Sequence, residues 1–231
     1  MNLHFVLNMD QTPVFFNMMP NSTLELHGAR SVPIRITGGS STNRVTVSLC
    51  VSAAGDKLKP MVIFKGTPDG RIATRELPTF DYQDSMLFSC QDHAWQDDLN
   101  MQQWIGQVLQ PYIQQRAQGC PVTLFLDGFS AHRSEQTTMA FAALGVNVVY
   151  IPAGCTSVLQ PVDVGIGKPF KDRLCTLWWD WLMEHDTNLP VVESATREDI
   201  ANWIYQSWES MPAEIICNAR RKTDYEYIQD I

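Results

Sequence analysis

The chain has 231 residues, with 17 Lys and Arg against 25 Asp and Glu, a formal net charge of −8 and a pI near 5.0. That balance excludes a protein that holds nucleic acid by bulk charge alone, but it leaves room for local basic clusters and for an acidic metal site. Hydrophobic residues at 45% and charged residues at 18% are far from the composition of a disordered chain, so one sizeable core is expected. No repeat, low-complexity stretch or Gly/Ser/Pro linker divides the sequence, and residues 1–231 read as a single domain.

In chain order, the first third is β-like. Phe5–Asp10, Val32–Ile36, Arg44–Val51 and Met61–Phe64 are short apolar or alternating runs, and Gly38-Gly39 and Ala54-Gly55-Asp56 are turns between the later ones. An antiparallel meander is the simplest arrangement. From Leu99 the period lengthens: Trp104, Val108 and Tyr112 recur beside Ile105, Leu109 and Ile113 on one helical face, with Asp97 or Asp98 as the cap. A buried-type run, Val122–Leu126, then ends in Asp127; a helical stretch through Phe141 and Leu144 follows, then Gly145 and a second run, Val146–Ile151. This is the pattern of a βαβ unit with parallel strands. Two amphipathic helices close the chain, one carrying Phe170, Leu174, Trp178 and Trp181, the other Ile200, Trp203, Ile204 and Trp208; Thr196 and Asp199 form a capping box for the second. The tryptophan stripes are core packing. The fold class is thus α/β, a mixed sheet of antiparallel meander plus parallel βαβ, flanked by helices.

Six cysteines, at 50, 90, 120, 155, 175 and 217, show no CxxC and no short Cys/His spacing, so neither structural zinc nor a disulfide framework is expected. No apolar run approaches the ~20 residues that span a bilayer. An intracellular protein with reduced thiols fits both observations.

Three acids stand at informative places. Asp127 directly follows a buried strand, where ligands of open α/β sheets collect. Asp10 ends the first apolar run, and Asp163 lies in the loop after the second parallel strand, with Pro161 suited to a helix start. If the strands of Asp10 and Asp127 are neighbours, three carboxylates meet at one edge. Such acids repel, and hard divalent cations relieve the repulsion. Two Mg²⁺ or Mn²⁺ ions held this way activate a nucleophile and stabilise the leaving oxygen of a phosphodiester. The same crowding predicts that Asp127→Asn relieves strain in the metal-free protein.

Asn8–Val14 (NMDQTPV), Leu124–His132 (LFLDGFSAH) and Ile151–Asp163 (IPAGCTSVLQPVD) resemble the three acid-bearing segments of the DDE transposases of the pogo, Tigger and jerky branch of the mariner superfamily, with 35 residues between the second and third acids. The resemblance runs from about Asn8 to the Trp208 helix. It implies an RNase H-like fold, a catalytic and metal-binding triad of Asp10, Asp127 and Asp163, two Mg²⁺ or Mn²⁺ ions, DNA as substrate and the nucleus as location. Gly128 stands where the family often has Asn. The family usually carries a helix-turn-helix region before the catalytic domain, and here the first acid is residue 10. An excised catalytic domain, a truncated element or a domesticated remnant is therefore expected, with a homodimer or a helix-turn-helix protein as partner for DNA recognition. The rival reading is a decayed domain that binds DNA or protein without catalysis.

His132 is a candidate for orienting a phosphate, a water or a carboxylate, or for an ordinary loop hydrogen bond. Lys168 and Lys171 are candidates for DNA-backbone contacts, or for solvated lysines at a helix start. Arg30, Arg35, Arg44, Lys57, Lys59 and Lys65 make the meander the most basic region, read either as a phosphate-binding surface or as exposed strand charges. Ser130 and His132 do not make a hydrolase site, because no GxSxG elbow surrounds them.

Overall fold

A computed structural model describes residues 2–18, 43–116, 120–185 and 194–223. Six strands form one sheet: β1 (Val6–Phe15), β2 (Arg44–Ser52), β3 (Met61–Lys65), β4 (Leu87–Gln91), β5 (Val122–Leu126) and β6 (Val146–Tyr150), in the spatial order β4-β3-β2-β1-β5-β6. β1, β2 and β3 pair antiparallel, the expected meander; β5 pairs parallel with both β1 and β6. The predicted run Val32–Ile36, its Gly38-Gly39 turn, Arg30 and Arg35 lie outside the described residues.

Two expectations need correction. Asp10 does not end β1, which continues through Gln11, Thr12 and Val14 because the long antiparallel ladder with β2 reaches Phe15↔Arg44. An additional edge strand, β4, pairs parallel with β3. Its sequence, Leu-Phe-Ser-Cys-Gln, has three half-buried residues at its start and no clean alternation, so no sequence pattern marks it.

Strand alternation sorts the side chains into two layers. Leu7 and Met9 of β1, with Leu124 and Leu126 of β5, pack against α1 (Asp98–Trp104), its continuation through Ile105–Leu109 into α2 (Gln110–Arg116), and α3 (Glu135–Ala143). Asp97 caps α1 by accepting from the Asn100 amide. On the other face Val47, Val62 and Phe64 meet α5 (Gly167–His185), α6 (Arg197–Glu209) and α7 (Ala213–Lys222), and Trp178, Trp203 and Trp208 are buried there as predicted. Before α5 come a short helix, α4 (Thr156–Leu159), and a π turn, Val162–Ile166, that runs straight into α5. The capping box of α6 forms with both its reciprocal bonds, Thr196 to Asp199. All six cysteines are free thiols. Among the described residues no helix is long and apolar enough to cross a membrane.

Of the described meander cations, Lys57 and Arg44 do not share one surface. Lys57 Nζ donates to the Trp208 and Glu209 carbonyls, each at 2.7 Å, closing the C-terminus of α6. Arg44 sits at the opposite end of β2, since the register pairs it with Phe15 while Ser52 pairs with Leu7.

Candidate active site

The parallel register of β1 and β5 aligns Asn8 with Phe125. Two residues further along each strand come Asp10 and Asp127, so alternation puts both acids on the α5–α7 face. The π turn bearing Asp163 lies over that same face against β1. Asp10 is 8% exposed. Burial, then the charge of Asp163 and more weakly that of Asp127, push its carboxyl well above its ordinary value of 3.8, against the Gln11 amide, which donates to Asp10 Oδ1 at 2.7 Å. Asp163, itself exposed, is the larger of the two acidic charges that act on buried Asp10.

Asp127 behaves differently. Burial pushes its carboxyl up, but His132, the Phe129 amide and the Arg133 charge outweigh burial and hold it below 3.8. His132 is wholly buried, its Nδ1 2.7 Å from Asp127 Oδ1 and its Nε2 2.9 Å from Nε2 of the Gln11 side-chain amide. Donation by that amide makes Nε2 the acceptor and leaves the ring proton on Nδ1, facing Asp127. Tyr150 at the end of β6 donates to the His132 carbonyl at 2.8 Å, fixing the loop. His132 thus bonds a carboxylate of the acid-bearing segments and lies in contact with no other acid among the described residues. At Asp127, unlike Asp10, the paired His132 outweighs burial, so Asp127→Asn is now expected to take a partner from His132 instead of relieving strain.

Among the described residues no group of three or more His, Cys, Asp or Glu closes tightly enough to encage an ion. The acids adjoin in pairs, Asp10 with Asp163 and Asp127 with His132. This donor set nevertheless suits a hard cation: the buried Asp10 carboxyl feels the charges of both other acids, and positive charge there offsets them.

Asn8 joins all three segments. It is 3% exposed, its Nδ2 donates to the Phe125 carbonyl at 3.2 Å, and its Oδ1 accepts from the Val162 amide at 3.3 Å. One side chain of β1 thus sets both the β5 strand before Asp127 and the turn that carries Asp163. Strand alternation from Asp10 would have found it, since residue 8 must share the face of residue 10. Asn8→Ala is expected to lower stability by about 1–3 kcal/mol, because buried backbone groups lose their partners. It should also shrink any rise in melting temperature produced by Mn²⁺. An undiminished metal shift in thermal melts would refute the joining role.

The remaining predicted residues fall outside this cluster. Lys168 Nζ lies 2.7 Å from Asp172, an exposed i,i+4 pair at the start of α5, and Lys171 is exposed one turn along. At Gly128 the Arg133 guanidinium fills the space: a Cβ there would lie 3.2 Å from Arg133 Nη2. Arg133 also sits over the Tyr150 ring at 4.6 Å. Gly165, within the Asp163 turn, lies hard against α7, where a Cβ would come within 2.7 Å of the Ala219 Cβ.

The family model described as DDE superfamily endonuclease matches residues 42–219. The chain is 27% identical over 221 residues to the mouse "Pogo transposable element with KRAB domain", covering 93% of this chain and 34% of that protein. It is 26% identical over 228 residues to the human "Jerky protein homolog", covering 94% and 36%. The chain therefore spans about a third of the length of these relatives. Among solved structures, the mariner Mos1 paired end complex with Mg is similar with a TM-score of 0.61 at 11% identity, over 99% of this chain and 55% of that one. The RNase H-like fold is shared with that transposase.

Proposed function

The chain belongs to the DDE superfamily endonuclease family, and we propose that it cleaves and joins DNA phosphodiesters in a metal-dependent reaction at Asp10, Asp127 and Asp163. The observation that carries this is the alignment of Asp10 beside Asp127 on one sheet face, with the turn that bears Asp163 packed against β1 and the Asp163 charge acting on Asp10. Two Mg²⁺ or Mn²⁺ ions held by these carboxylates would supply the Lewis acidity for activating a water or 3′-hydroxyl and for stabilising the leaving oxygen. The mariner neighbours are a paired-end complex with the left transposon end and paired end complexes with Mn and with Mg, in line with this reading.

The chain's own residues have separable parts. His132 orients Asp127; Asp10, the buried acid, is the one whose charge a bound cation would offset most; Asn8 keeps the three segments in register. Lys168 and Lys171 contact the DNA backbone, and a second copy or a helix-turn-helix protein supplies sequence recognition. The nucleus is the place of action.

The test is nicking of supercoiled plasmid by the purified chain with Mn²⁺, Mg²⁺ or EDTA. Metal-dependent nicking is expected, falling by at least a hundredfold in Asp127→Asn and Asp163→Asn. DNA binding with no metal-dependent nicking by the parent would instead establish the non-catalytic binding module.

A further inference from the structure

We infer that Trp95, with Phe129 and Arg44, forms a stacking site for an unpaired nucleobase of a DNA strand beside the acids. The site rests on the reading of DNA as substrate and adds to it a place for a base outside the duplex.

Trp95 is 50% exposed, yet the loop that carries it is pinned on all sides. Ala94, wholly buried, has φ +55°, the one non-glycine residue with positive φ among the described residues. Such a conformation costs a non-glycine residue of order 1 kcal/mol or more and persists only where its surroundings enforce it. Here they do: Thr46 Oγ1 donates to the Ala94 carbonyl at 2.6 Å, and Gln91 Oε1 accepts from the His93 and Trp95 amides at 2.7 and 3.1 Å. Buried Gln96 accepts from Ser48, and Asp97 caps α1 immediately afterwards. The result is a fixed loop that displays an indole to solvent instead of burying it.

What the indole faces defines the ligand. Its ring stacks on Phe129, centroids 6.3 Å apart at 29°, and the Arg44 guanidinium lies 5.0 Å from its centroid. Phe129 in turn meets His132 edge-on at 5.7 Å, and its amide donates to Asp127 Oδ1 at 3.3 Å. A continuous line of flat side chains thus runs from the exposed indole to the acid. A nucleobase presents a π-face for such a surface whatever its identity, and a neighbouring guanidinium adds cation–π attraction and a partner for the following phosphate. Stacking also suits a chain of net charge −8, because it does not depend on bulk positive charge. An enzyme that acts on a strand within a duplex gains access when bases near the scissile bond leave the stack, and an adjoining aromatic surface stabilises them there.

The test uses the whole chain in EDTA, so that no cleavage contributes. The probe is a single-stranded oligonucleotide carrying terminal 2-aminopurine, compared with the same base paired inside a duplex. The parent is expected to quench the unpaired probe and to leave the paired one bright. Trp95→Ala should bind the single strand about tenfold more weakly and lose the quenching, whereas Trp95→Phe keeps most of both. A melting temperature for Trp95→Ala equal to the parent's shows that the fold is intact. Equal quenching by parent and Trp95→Ala, equal affinity for the paired and unpaired probes, or no binding of the single strand by the parent would each overturn the inference. Plasmid nicking by the parent with Mn²⁺ is scored separately. Nicking without quenching removes only the stacking site, and quenching without nicking removes only the nuclease reading.

Discussion

In EDTA, Asp10→Asn is expected to melt at or above the temperature of the parent, and its advantage should grow as pH rises from about 4. The sign follows from linkage. Asp10 is held well above 3.8 in the folded state, so its contribution to stability is fully present below 3.8 and is lost as pH rises through the folded value. Across that window the parent loses up to about 1.4 kcal/mol per pH unit, the most that one proton allows, and the amide loses nothing. Asp127→Asn should run the opposite way. Asp127 is held below 3.8, so its contribution is present above 3.8 and is lost as pH falls through the lowered value; replacing it leaves His132 without its ionic partner. A cost of about 1.5 kcal/mol at neutral pH is expected, the low end for a hydrogen bond to a charged group that is partly solvent-screened. Saturating Mn²⁺ should reverse the first ranking, since a ligand bound only to the folded state adds about 2.7 kcal/mol at a hundredfold excess over Kd. The parent gains that and Asp10→Asn gains little. Melts of the three proteins in EDTA and Mn²⁺ between pH 4 and 8 decide the matter. Parallel pH curves for parent and Asp10→Asn would show that Asp10 carries no such repulsion.

Gly165→Leu is expected to destabilise by about 3 kcal/mol, at the top of the range for overpacking a tight contact. The reason is backbone proximity: a Cβ at 165 would stand 2.7 Å from the Ala219 Cβ and 3.0 Å from its Cα, so α7 and the turn must separate. Because the turn carries Asp163, the separation should also abolish metal-dependent stabilisation. Gly165→Ala is milder, and pairing it with Ala219→Gly should recover only part of the loss, since the Cα remains 3.0 Å away. A double-mutant cycle measures that coupling beyond the helix cost of glycine, about 1 kcal/mol. Additive single effects would show that the two helices do not press on each other at this point.

These two expectations draw on different sources. Local pattern was enough for β2, β5, β6, the α1 face, the capping box at Thr196 and the tryptophan stripes, because period and capping chemistry act over a few neighbouring residues. The three acids were legible as well, each at a segment end or loop mouth and each within a segment resembling the family's. What the sequence by itself determined was therefore the α/β class and the order of the elements apart from β4 and the closing helix α7, and it singled out the three acids as candidates. Tertiary structure decided everything that depends on which strand lies beside which. The ladder with β2 carried β1 past Asp10; the β3 edge recruited β4, whose residues have no period to announce it. Packing pushed the Asp10 carboxyl up, by burial first and by the charge of Asp163 second, whereas at the half-buried Asp127 the reach of His132 outweighs burial. Packing likewise turned Lys57 into a helix cap and made Asn8 the joint between segments 117 and 154 residues apart in sequence. Burial, charge pairing and hydrogen bonding between distant segments are set by distances in space, and sequence separation carries no record of them.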